Sequence, residues 1–120
     1  MIQLGLHLIG DYIIQNDWMA INKKKRSWMG ELACQTHCIT YALPFFYLGS
    51  WQAVLAIYVS HYIIDRSRLV EYFLAARNLT WSTDNFGFNK MRPAIVSFWL
   101  YVIVDNTFHL ACNYFALKYL

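Results

Sequence analysis

Three histidine–carboxylate pairs stand inside otherwise apolar stretches of the chain: His7 with Asp11, His61 with Asp65, and Asp105 with His109. Each pair is four residues apart, a spacing that places both members on one face of a helix. His37 stands alone in a further apolar stretch. All four histidines and three of the seven acidic residues therefore lie in hydrophobic surroundings. Buried charge without a partner is costly, so such groups pair with one another or bind metal.

Imidazole and carboxylate together suit Zn, Mn, Fe or Ni better than Ca or Mg. The candidate metal ligands are His7, Asp11, His37, His61, Asp65, Asp105 and His109. Seven ligands are too many for one tetrahedral ion and suit one or two divalent transition-metal ions (Zn, Mn or Fe), a pair sharing a carboxylate bridge. Two such ions would clamp the attacking and leaving oxygens of a displacement. Asp65 and Asp11 are the candidate catalytic carboxylates, a carboxylate not spent on metal serving as general base. Gln15, four residues beyond Asp11, and Arg68, three beyond Asp65, are candidates for holding substrate, Arg68 as the partner of a phosphate. Tyr101 and Asn113 flank the Asp105/His109 pair at four residues each way and could orient ligands. Three other readings compete: structural ion pairing, a proton or ion path, and haem between two histidines. Haem leaves three carboxylates unexplained.

The elements that must carry these residues are apolar. Hydrophobic residues make up 58% of the 120 and charged residues 14%, against roughly 25% charged in soluble domains. The 22 Phe, Trp and Tyr residues fit a membrane protein, whose interfaces favour Trp and Tyr. The expected fold is all-α: one integral membrane domain over residues 1–120, a four-helix transmembrane bundle with long cytoplasmic loops. The first segment runs from about Met1 to Ala20, the second from Glu31 to Gly49, and the fourth from Pro93 to the C-terminus. The third starts near Trp51 and is read as one long helix to Ala76, its amphipathic end leaving the bilayer. Gly49 and Ser50 form a tight turn that makes the second and third helices antiparallel neighbours. For Asp105 and His109 to reach the level of the other pairs, the fourth helix must project into the cytoplasm.

Nine of the ten Lys and Arg residues fall in the two longer connections, including the run Lys23-Lys24-Lys25-Arg26. The positive-inside rule then puts those loops in the cytoplasm and both termini outside. That run is read as a topology signal and lipid-headgroup contact, with no specific nucleic-acid binding expected. The N-terminus has no basic residue before its apolar run and no small-residue cleavage site, so a cleaved signal peptide is not expected. Cys34, Cys38 and Cys112 are odd in number and sit in apolar segments, which favours buried thiols over disulfides.

The segment Leu6-His7-Leu8-Ile9-Gly10-Asp11-Tyr12-Ile13-Ile14-Gln15, then Asp17-Trp18-Met19-Ala20 and Lys23, then His37, then Ser60-His61-Tyr62-Ile63-Ile64-Asp65 carries a pattern: HxxxDxxxQ, WMA with a lysine, a lone His, and HxxxD. Over roughly residues 4 to 70 it resembles a family of small integral membrane proteins of unknown function found in phages and bacteria. More distantly it is similar to inner-membrane metal-dependent hydrolases. The resemblance implies a phage or prophage setting and the inner membrane of a bacterial host.

Two functions follow as expectations. One is a membrane-embedded metal-dependent hydrolase with a cytoplasm-facing His/Asp site, acting on a phosphoester, lipid or nucleotide. The other is a non-catalytic phage membrane protein that binds or inhibits a host defence component, its metal a structural staple. The expected partners are the lipid bilayer, a phosphate-containing substrate or a host protein, and further copies of the chain.

Overall fold

A computed structural model describes residues 1–120, and it is all-α with no strand. Helix α1 (Ile2–Leu8) continues into a wider π turn over Ile9–Ile14. Gln15 is extended, and the Asn16 side chain caps α2 (Asp17–Asn22) by accepting from the Met19 amide at 2.9 Å. Ser27 caps α3 (Trp28–Ala42) in the same way, accepting from the Gly30 amide at 3.1 Å. A 3₁₀ turn over Leu43–Tyr47 extends α3, with Pro44 in its first turn, where a missing N–H costs nothing. Ser50 then caps α4 (Trp51–Ser67), followed by α5 (Leu69–Arg77) and α6 (Ala94–Tyr119).

The sequence expectation is corrected at two places. The first apolar segment is not one helix, because Asn16 satisfies a helix start and draws the chain out after Ile14. The third segment breaks at Arg68, which takes a left-handed conformation (φ 57°) between α4 and α5. A bulky residue at positive φ is strained, and here Arg68 is held by pairing with Glu71, which its Nε meets at 2.6 Å. Only α6, with 26 residues, is long and apolar enough on its own to cross a membrane.

Helix α4 is central and packs against α3, α5 and α6, while α1 lies on α6. Two apolar clusters form. Tyr41, Ala42, Phe45, Val54, Ile57 and Ala116 gather at one end, and Ile64, Val70, Leu74 and Phe88 at the other. His61 sits on α4 between Ile57 and Ile64, so a polar layer separates the clusters. All four histidines, Asp65 and Asn113 are buried, whereas Leu55, Val59 and Ile63 of α4 and Ile95, Trp99 and Ile103 of α6 are exposed.

The connection from Asn78 to Pro93 folds back over α5 and α6. Thr80 and Asn78 both donate to the Gly87 carbonyl, at 2.9 and 3.1 Å. Gly87 has φ 83°, and a Cβ there would strike the Ala75 amide. The loop seats Phe86 against Phe98 and Tyr101.

Gly10 lies in the π turn against the ring of Tyr41, where an added Cβ would collide with it. Gly5, one and a half turns earlier, faces open space. Gly10→Ala is expected to destabilise the protein by about 1–3 kcal/mol through overpacking. Gly5→Ala is expected to be neutral or to stabilise by about 0.5–1 kcal/mol. Denaturant titration of the two variants checks the contrast.

Candidate metal centre

Five of the seven ligand candidates converge. The two Nε2 atoms of His37 and His61 stand 2.9 Å apart. Asp11 Oδ1 lies 3.3 Å from His37 Nε2 and 3.5 Å from His61 Nε2. Asp65 Oδ2 lies 3.2 and 3.4 Å from the same two nitrogens, and Asp65 Oδ1 is 3.4 Å from His109 Nε2. A tetrahedral ion with bonds of about 2.0–2.1 Å has donor–donor edges of about 3.3–3.4 Å. The carboxylate–imidazole separations are of that size, while the His37–His61 pair stands closer, at hydrogen-bonding distance. The donors form two triads, Asp11/His37/His61 and His61/Asp65/His109, joined at His61. Asp11 Oδ1 and His109 Nε2 are buried without a hydrogen-bond partner, as are the Nδ1 atoms of His37, His61 and His109.

The helices explain the convergence. The i,i+4 spacing on α4 brings His61 and Asp65 to one face, and α6 lies against α4 so that His109 reaches Asp65. The π turn carries Asp11 towards His37 on α3. Neighbouring rings pack the imidazoles: Tyr41 stacks on His61 at 3.7 Å between centroids, and His61 lies tilted 4.0 Å from His109.

The other two candidates sit beside the cluster. His7 Nδ1 meets the Tyr41 hydroxyl at 2.7 Å and its Nε2 meets Asn106 Oδ1 at 2.8 Å, so both nitrogens are engaged. Asn113 donates to Tyr41 at 2.6 Å and Asn106 donates to the Tyr12 hydroxyl at 2.7 Å. An amide oxygen only accepts, so His7 carries its proton on Nε2 and accepts from Tyr41 at Nδ1. Asp105 Oδ2 is 3.5 Å from His109, with a side chain 21% exposed against 2% for Asp65. It borders a cavity of ≈ 450 Å³ that Asp11 and Asp65 also line.

Gln15 lines that cavity and accepts from Lys23 Nζ at 2.7 Å. Arg68 does not line it. Half-exposed, Arg68 pairs with Glu71. Two lysines of the basic run, read from sequence as a topology signal, take the cavity wall instead. Lys23 Nζ reaches Asp65 Oδ2 at 2.7 Å, and Lys24 Nζ lies 2.5 Å from the Tyr101 hydroxyl and 3.7 Å from Glu71. Burial opposes the charge on Lys23, but the Asp65 carboxylate outweighs it and holds the ammonium above the ordinary lysine range.

Sequence reasoning also missed Tyr41, Tyr12 and Asn106. Tyr41 carries the same signal as the pairs, four residues after His37. Asn106 and Tyr12 have no such signal, each merely adjoining a member of a pair.

Fold and site together define a small helical protein with an apolar exterior and a buried His/Asp cluster with the donor chemistry of a transition-metal centre. The chain belongs to the family described as Protein of unknown function (DUF3307), whose model matches residues 1–117. The match therefore includes Asp105 and His109, beyond the stretch of about residues 4 to 70 over which the sequence pattern was read. Comparison with curated proteins and with solved structures gave no match. The family description carries no activity, so reaction chemistry rests on the site.

Proposed function

We propose that the protein is an integral protein of a bacterial inner membrane that holds one or two divalent transition-metal ions and hydrolyses phosphoesters in the cytoplasmic half of the bilayer. The observation that carries this reading is the convergence of Asp11, His37, His61, Asp65 and His109 donor atoms beside a cavity edged with lysines. The exposed apolar faces of α4 and α6 and the buried His/Asp cluster support the membrane setting. Nine of ten basic residues between Lys23 and Arg26 or between Arg66 and Arg92, with only Lys118 at the other end, support cytoplasmic loops and external termini in a four-span bundle. Helices α3 and α4 have 15 and 17 residues, short for a core of about 30 Å, a mismatch that local bilayer thinning absorbs.

A bound divalent ion supplies Lewis-acid activation of water near neutral pH. The chain's own residues do the rest. Asp11 and Asp65, with His37, His61 and His109, would hold that ion. Asp105, the most exposed carboxylate of the group, is placed to take a proton from the attacking water. Lys23 and Lys24 offer ammonium groups to the phosphoryl oxygens.

Asp105→Asn is expected to retain metal and to lose about 100-fold in turnover of a soluble phosphomonoester, the range of general-base contributions. Metal-loaded protein that turns over neither phosphomonoesters nor phosphodiesters overturns the enzymatic reading. One observation favours the alternative of a structural staple in a phage protein that binds a host component: Lys23 already covers Asp65. The same assay separates the two.

A further inference from the structure

Helix α1 and α6 meet at one end and part at the other. Gln3 Nε2 donates to the Leu110 carbonyl at 2.8 Å, and the His7–Asn106 and Asn106–Tyr12 contacts lie a few residues nearer the loops. Beyond Tyr12 the two walls separate, and the ≈ 450 Å³ cavity fills the wedge between Gln15 and Ala20 on one side and Phe98 and Val102 on the other. Its loop end is covered. Lys24 reaches across to Tyr101, and Phe86 packs against Tyr101 and Phe98. The open direction is therefore sideways, where the flanking side chains are apolar and exposed: Tyr12 and Ile13 on one wall, Phe98 and Trp99 on the other.

Charge gives the wedge a second property. Glu71 is neutralised by Arg68. Three carboxylates (Asp11, Asp65 and Asp105) and two ammonium groups (Lys23 and Lys24) then face the cavity, leaving one net negative charge. A single divalent ion reverses that to one net positive charge, and the lysine on Asp65 loses its competitor-free claim on that carboxylate. An anion is then favoured deep in the wedge and hydrocarbon at its mouth.

We infer that this wedge binds a phosphomonoester amphiphile laterally, its dianionic headgroup between the ion and Lys23/Lys24 and its tail passing out between Tyr12 and Phe98. The inference rests on the metal-dependent reading above and names its substrate class. In the reaction, water attacks phosphorus, the ester P–O bond breaks, inorganic phosphate leaves, and the lipid alcohol keeps the tail and gains a proton.

The test uses metal-loaded full-length protein in phosphatidylcholine vesicles containing phosphatidic acid with a photoactivatable tail. Cross-links mapped by mass spectrometry are expected at Tyr12, Phe98 or Val102. Unlabelled phosphatidic acid is expected to compete, and inorganic phosphate at the same concentration is not. Lys24→Gln is expected to lower labelling about tenfold, the loss of one charge-assisted contact, and Val102→Trp by a similar factor through filling the wedge, with metal content at the wild-type level as the check on folding. Equal competition by inorganic phosphate, or labelling spread over all lipid-facing helices, overturns the lateral site. Specific labelling without release of phosphate leaves it standing and removes the hydrolase. Hydrolysis of p-nitrophenyl phosphate without specific labelling does the opposite.

Discussion

Protein purified from cells supplied with zinc, manganese and iron is expected to carry about one divalent transition-metal ion per chain, and His61→Ala almost none. His61 is the residue to remove because it belongs to both donor triads. Without it each triad loses its shared donor, and Asp65 alone, 3.2 Å from His37 and 3.4 Å from His109, links what remains. His7→Ala provides the contrast. Its two nitrogens are taken by Tyr41 and Asn106, so metal content is expected to stay at the wild-type level. Elemental analysis of the three proteins reads the result directly. Equal metal content in wild type and His61→Ala, or none in either, would remove the metal centre and the chemistry built on it.

The second large effect concerns Lys23. Its ammonium is the nearest fixed positive charge to Asp65, at 2.7 Å, and both groups are largely out of contact with solvent. Removing one partner of a buried pair leaves the other charge uncompensated, at about 3–5 kcal/mol. Lys23→Met is expected to lose stability of that order in chelator-treated protein. In metal-loaded protein the loss is expected to shrink to about 1 kcal/mol, because the ion offsets the same carboxylate. Thermal unfolding in detergent, with and without chelator, gives the comparison. A loss of the same size in both states would mean that Lys23 and the ion act on different groups.

The all-α architecture was legible because long apolar stretches are separated by polar, basic connections. Their interruptions were not. Asn16 and Arg68 lie within segments whose hydropathy pattern continues across them. What stops the helix at Arg68 is a strained backbone held by Glu71, and what stops it after Ile14 is the Asn16 side chain that caps α2. Composition records neither.

The site was legible where the code is local. Spacing of four put His61 with Asp65 on one face and His109 on another, and α4–α6 packing brought them together. It was silent where partners come from distant helices. His7 keeps a contact with Asp11 Oδ2 at 3.5 Å, as its spacing implies, yet Tyr41 and Asn106 claim both its ring nitrogens, from 34 and 99 residues away. The role of Lys23 was hidden for a different reason. A lysine beside a span serves orientation in most membrane proteins, and only three-dimensional placement shows it turning inward.

The wide turn over Ile9–Ile14 has a consequence for how this chain can vary. It accommodates an extra residue between the stretch bearing His7 and the stretch bearing Gln15. Deleting one residue there would return the coil to ordinary helical geometry, keeping the flanking stretches in phase but withdrawing Asp11 from the station near His37 that the wide turn gives it. Length in this stretch is therefore under tighter restraint than the identity of most of its side chains, and natural relatives should tolerate exchanges there far more readily than gaps.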